Sequence, residues 1–160
     1  MNRFFLVTIL GIAFLWIRSG TLKIIEGDFP HTLGDTLTRF SVNNPYPWYS
    51  DILMNTSIPN AYVLGFLIMY SEVFSGVLVG VVSLLLLLRK TPNRLVLVLF
   101  FLGLVIGMIL NLMFWLASGH LSPSGDSLNL LMFYIQFVGV FFVIGLLRKK
   151  EAIKTNGKGT

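Results

Sequence analysis

The chain has 160 residues, of which 55% are hydrophobic and only 12% charged, and its mean hydropathy is +0.81. That leaves too little polar surface for a water-soluble domain and no room for a separate soluble catalytic module, so composition predicts one integral membrane domain. The net charge of +5 sits largely in short segments that flank apolar runs, which fits membrane topology and not nucleic-acid binding; the lack of cysteine excludes disulfide exchange, thiolate nucleophiles and Cys-ligated iron–sulfur clusters.

Four apolar runs are long enough to cross about 30 Å of hydrocarbon, and they cover about residues 4–25, 61–88, 95–117 and 128–147. The first begins beside Arg3. No small-residue cleavage site closes it, and "WIRSGTLK" with two cations follows, so it reads as a retained helix and not a removed signal. The segment 26–60 is too polar to span. Leu33, Leu37 and Phe40 recur there at helical spacing, and Trp48, Ile52 and Leu53 offer a second short stripe. Pro45 and Pro47 bracket Tyr46, with Trp48 and Tyr49 next, a composition suited to a membrane–water boundary. A long outer loop carrying two short amphipathic helices is expected over the mouth of the bundle, either as a connector or as a lid or docking surface.

The second and third runs are separated by 89–94, where Pro92 punctuates. The third and fourth are separated by 118–126, and Asp126 or Ser127 is expected to cap the last helix. Residues 148–160 form a basic tail. Arg3, then Arg89, Lys90 and Arg94, then Arg148, Lys149, Lys150 and Lys154 all fall on one side of a four-span chain, which predicts cytoplasmic termini. His31 and His120 fall in predicted loops, so a bis-histidine haem within the membrane has no ligands, and no metal site is expected. The expected fold class is therefore all-α, an integral membrane four-helix bundle.

Charged and amide groups inside the runs are the main functional signal. At about 1.5 Å per residue, Arg18 lies roughly 22 Å beyond Arg3, Glu72 roughly 25 Å before Arg89 and Asn111 roughly 25 Å beyond Arg94. Gln136 lies roughly 18 Å before Arg148, about one turn lower. This common depth predicts that Arg18 answers Glu72, with Asn111 in the same network; Lys23, about five residues further out, either snorkels or serves as the second cation of the site. Gly76 and Gly80 on the second helix, and Gly103 and Gly107 on the third, share faces with these groups and admit close neighbours. The layer serves either to fix helix register or to hold a ligand.

Several stretches in order resemble the DoxX-like membrane proteins. They are "RSGTLKI", "FPHTLGDTLTRF", "NPYPWYSDIL", "SEVFSGVLVG" with its E-x-x-x-G-x-x-x-G pattern, "NLMFWLAS" and "SPSGDSLNLLM". Together they cover nearly the whole chain. The resemblance implies a four-helix bundle in the plasma membrane of a prokaryote, with Arg18, Lys23, Glu72, Gly76 and Gly80 at typical positions. It also implies a subunit of a quinone-linked redox complex of the thiosulfate:quinone oxidoreductase type. On that reading quinone is a substrate, Trp115, His120 and Tyr134 are candidate contacts at the outer mouth, and a protein partner supplies the electron carrier. The alternative is a non-catalytic scaffold subunit of a larger membrane complex; a small transporter ranks below both.

Overall fold

The computed structural model describes residues 3–88 and 93–156, with side chains through 151. Arg89, Lys90 and Pro92, which mark the expected cytoplasmic turn, lie outside the described residues, as does the side chain of Lys154.

Four helices are long and apolar enough to cross a membrane. They are α1 (Arg3–Glu26), α4 (Ala61–Leu87), α5 (Arg94–Ser118) and α6 (Pro123–Asn156). Between the first two lie α2 (Phe29–Ser41), α3 (Pro47–Ile52) and a π-turn over Leu53–Ser57. The first three of the four long helices match the expected apolar runs to within a residue or so. The fourth begins five residues earlier than expected, because Ser122 accepts from Gly125 N–H at 3.3 Å and Pro123 follows as the first helical residue. Asp126 and Ser127 are thus inside the helix and do not cap it. The expected tail is also helical, continuing to Asn156, and Arg94 at the start of α5 reaches Glu151 at 2.8 Å. His31 falls in α2, not in a loop, with its ring 5.1 Å from Tyr62.

Close helix contacts are made where side chains are missing. A Cβ on Gly20 would lie 2.7 Å from the Met69 carbonyl, and one on Gly76 would lie 2.8 Å from the Ala13 carbonyl. Helices α1 and α4 therefore touch backbone to backbone. A Cβ on Gly103 would lie 3.2 Å from the Ser75 carbonyl, and Ser75 Oγ donates to the Gly103 carbonyl at 2.7 Å, which joins α4 to α5. The half of the bundle away from α2 and α3 is filled by Ile9, Ala13, Val79, Val82, Leu97, Phe100, Leu104 and Val143.

The other end carries a cap. Gly27 stops α1 in the left-handed region at φ 76°, where only glycine is unstrained, and its N–H bonds the Lys23 carbonyl at 3.1 Å. The chain then turns into α2, whose Pro30 presses onto Gly65 of α4 so closely that a Cβ there would be 2.5 Å from Pro30 Cα. Leu33 and Leu37 face inward as expected. Of the expected stripe, Leu53 is buried at the start of the π-turn, whereas Trp48 and Ile52 are exposed and Tyr49 takes the inward position in α3. Two side chains fasten the cap to backbone carbonyls in the last turns of α5. Asn44 Nδ2 donates to Leu116 at 3.0 Å, and the Tyr49 hydroxyl donates to Met113 at 3.1 Å.

Alanine at Gly76 will destabilise the bundle by about 1–3 kcal/mol, since its Cβ meets backbone that cannot move independently. Alanine at Gly80, where the nearest neighbour is Ala13 Cβ at 3.4 Å, will be neutral or slightly stabilising. Unfolding titrations in mixed micelles separate the two; equal effects would show that the close α1–α4 contact is absent. Burial also pushes the Tyr49 hydroxyl above its ordinary value of 10.0. The neutral form is favoured in the folded state, so this stability is full below pH 10 and falls as pH rises through the higher folded value. Tyr49→Phe will cost about 1 kcal/mol at neutral pH and remove that alkaline loss, as read from stability curves against pH.

Candidate functional site

The site is built around Glu72. It lies midway along α4 with no exposed surface, and one carboxylate oxygen accepts a hydrogen bond from the Lys23 ammonium. Lys23 also reaches Ser19 Oγ at 3.4 Å, and its ammonium lies 4.8 Å from the centre of the Phe29 ring and 5.5 Å from that of Phe114. Two ring faces and one carboxylate thus replace most of the water that a membrane withholds from an ammonium.

Arg18 does not answer Glu72. Axial depth alone pairs them, but helical phase separates them. The buried face of α1 runs through Leu6, Ile9, Ile12, Ala13, Trp16 and Gly20, and Lys23 continues it. Arg18 is two residues from both Trp16 and Gly20, hence about 200° around the helix. It is exposed and has no ion-pair partner among the described residues. Glu72 emerges directly opposite Gly20, where a Cβ would be 3.0 Å from Glu72 Cβ, so the cation one turn further on is the one within reach.

Behind this pair lies a second polar contact. Asn111 Nδ2 donates to Gln136 Oε1 at 2.7 Å, and both side chains are buried. Gln136 is level with Asn111, not a turn lower. The depth count from Arg148 assumed that α6 ends at the same plane as its neighbours, whereas the helix runs on past it. A single bond between two amides leaves one acceptor and at least one donor over, whichever way the amides lie. Among the described residues, Trp16 Nε1, Glu72 Oε2, Asn111 Oδ1 and Gln136 Nε2 are all buried with no hydrogen-bond partner. Gln136 Nε2, Ser75 Oγ and Trp16 Nε1 converge on Gly107, which has no side chain to fill the space. Buried polar groups are ordinarily satisfied, so four such atoms in one region mark a place that can accept a polar molecule.

A cavity of about 520 Å³ gives access to this region. Its walls include Arg18, Ser19, Lys23, Glu72, Asn111 and Asn129. A second, apolar cavity of about 310 Å³ lies under the cap between Phe29, Leu37, Tyr49, Ile68, Leu110 and Met113. Lys23, Phe114 and Asn129 border both. An apolar groove of about 550 Å³ along α4, from Phe66 to Val77, is lined by no charged group and lies on a face suited to lipid chains.

Four of the five expected polar residues are therefore brought together, with Arg18 at the rim, and Gln136 is joined to them through Asn111. The three expected mouth contacts are not. Trp115 donates to Asp126 Oδ1 at 2.5 Å and packs at a tilt against Tyr46, His120 is exposed in a short turn, and Tyr134 is exposed on α6; none lines the polar cavity. Trp16, Phe29, Phe114 and Asn129 belong to the site and were not singled out from the sequence. Helical phase from Gly20 and Lys23 identifies Trp16; the others depend on how the cap folds back. Among the described residues no group of three or more His, Asp or Glu is placed to hold a metal ion. Comparison with models of known families, with curated proteins and with solved structures gave no match.

Lys23→Met leaves Glu72 buried and unanswered and will destabilise the protein by about 3–5 kcal/mol, whereas Arg18→Met will change stability by under about 1 kcal/mol. The double change Lys23→Met/Glu72→Met will recover most of the loss. Unfolding free energies in bicelles test this; a larger effect from Arg18 than from Lys23 would reverse the assignment.

Proposed function

We propose that the chain is the membrane subunit of a quinone-linked redox complex, and that its own share of the work is to hold the quinone head at Lys23. The resemblance in sequence suggests the class. The observation that carries it is the meeting of the two cavities at one ammonium: an apolar chamber that suits a ring, and a polar one with spare donors that suit carbonyl oxygens. A quinone supplies the redox chemistry when bound. The protein's residues bind and orient it, with Lys23 donating to a carbonyl and the buried Glu72 fixing the ammonium in place. Electrons come from a sulfur-anion donor or from a partner subunit that carries a redox centre. The cap faces outward and both termini lie in the cytoplasm, as the basic flanks at Arg3, Arg94 and Arg148 suggest.

The second reading, a non-catalytic scaffold, draws on a different observation. The Lys23–Glu72 pair joins α1 to α4 next to the close contact at Gly20, where it sets the register of two helices whether or not anything binds.

The two readings differ in what a fold-preserving change does. Wild-type protein in nanodiscs will bind decylbenzoquinone, read by quenching of tryptophan fluorescence. Lys23→Met/Glu72→Met, which retains the fold, will bind at least about tenfold more weakly, the loss expected for one charge-assisted hydrogen bond. Equal binding by the two proteins, or none by either, removes the quinone reading. Retained capture of a partner by the double variant then supports the scaffold.

A further inference from the structure

Helices α1 and α6 run antiparallel but close on each other only away from the cap. There the Phe5 and Phe142 rings are 6.5 Å apart, and a Cβ on Gly139 would come 3.0 Å from Ile9. Ile9 and Val143 are fully buried in one cluster. Halfway up, Trp16 and Met132 belong to a buried cluster with Ile12 and Leu110, which forms the floor of a wedge. Above that floor the helices part. Leu15 and Leu22 on one side and Leu128 on the other are 41–51% exposed, and the polar cavity opens between them.

The other walls are shut. Glycine contacts seal α1 against α4 and α4 against α5, and α5 packs along α6. The cap lies over α4 and α5. The open wall is flanked by two membrane spans and edged with leucine, so in a bilayer it faces hydrocarbon. Arg18 stands at its rim, about 12 Å along the helix from the end of α1 at Glu26. An exposed guanidinium at that depth is costly without an acceptor beside it.

We propose that the seam between α1 and α6 is a lateral entrance from the lipid phase. It admits an amphiphile head first: the head carries hydrogen-bond acceptors, passes Arg18 and reaches Lys23, Trp16 and Asn111, while the apolar tail stays between Leu15, Leu22 and Leu128. Arg18, Lys23 and Trp16 Nε1 offer donors along this path that suit an acceptor head, while the unpartnered Glu72 Oε2 and Asn111 Oδ1 beside them suit a hydroxyl on the same head. A quinone carbonyl and a fatty-acid carboxylate share that chemistry. The inference rests on the small-molecule reading of the site but not on the redox reading.

The absence of native cysteine makes the test clean. Leu22→Cys/Leu128→Cys protein in nanodiscs is bridged with a bismaleimide that has a reducible disulfide spacer. Phe5→Cys/Phe142→Cys serves as the control, bridged where the helices already meet. Decylbenzoquinone and a doxyl-labelled stearate are the probes. Closing the Leu22–Leu128 pair will slow association by at least about tenfold, reduction of the spacer will restore it, and the control bridge will change it less than about twofold. Should the first pair fold poorly, Leu15→Cys/Leu128→Cys closes the same wall. Unchanged association through a bridged seam overturns the entrance. Stearate binding that the bridge blocks, with no quinone binding, keeps the entrance and removes the redox reading. No binding of either probe to the unbridged protein overturns both.

Discussion

A carboxylate with no exposed surface inside a membrane helix has to be answered by a cation, and the capped half of this protein is arranged around that requirement. Glu72 cannot reach far, so the cation has to come to it. Gly20 lets α1 lie against the backbone of α4, which brings the next turn of α1 within a lysine's reach. Gly27 ends the helix just beyond Lys23 and sends the chain back over it, so that Phe29 covers the ammonium from one side while Phe114 covers it from another. The cap is then fastened to α5 through Asn44 and Tyr49. The ion pair, the helix stop and the cap form one device, and loss of any part exposes the others.

The two halves of the bundle divide the work. Toward the tail, the interior is aliphatic and aromatic apart from the buried Ser83 hydroxyl, and all four helices close on it. Toward the cap, α1 and α6 diverge and the interior holds two amides, a carboxylate, an ammonium and an indole N–H. Apolar packing of the first half provides the rigidity that lets unsatisfied polar groups persist in the second. Free energy of this kind is spent where something else gains from it, which is why the polar half reads as a site.

Much of the fold was legible because the length of a hydrophobic run is a one-dimensional signal, and the membrane reads it the same way. Glu72, Asn111 and Gln136 stood out because polar groups within spans are rare. What the one-dimensional reading lost was azimuth. Arg18 and Glu72 share a depth but not a direction, and the partner at the right angle, Lys23, was ranked second. The same loss misplaced two members of the second cap stripe: Trp48 and Ile52 are exposed and Tyr49 is buried, while Leu53 points inward as expected. The start of α6 was misplaced for another reason: Ser122–Pro123 looks like a turn in sequence and is a helix cap in space. Trp115 looked like a ligand contact, but its indole is committed to Asp126, a pairing that depends on that earlier start. The cap chamber, made by residues far apart in the chain, had no local signature.

The length of α6 has a consequence for where the wedge sits. Its 34 residues make a rod of about 51 Å, well beyond the roughly 30 Å of a hydrocarbon layer. On the proposed topology, Arg148, Lys149 and Lys150 mark the point where the rod leaves the lipid tails. From there back to Leu128 is roughly 30 Å of helix, one bilayer thickness. The basic cluster at one surface therefore works as a depth stop for the leucine-edged gap near the other. The bilayer is the ruler: a thinner membrane lifts the gap toward the headgroups, and a thicker one draws it down among the acyl chains.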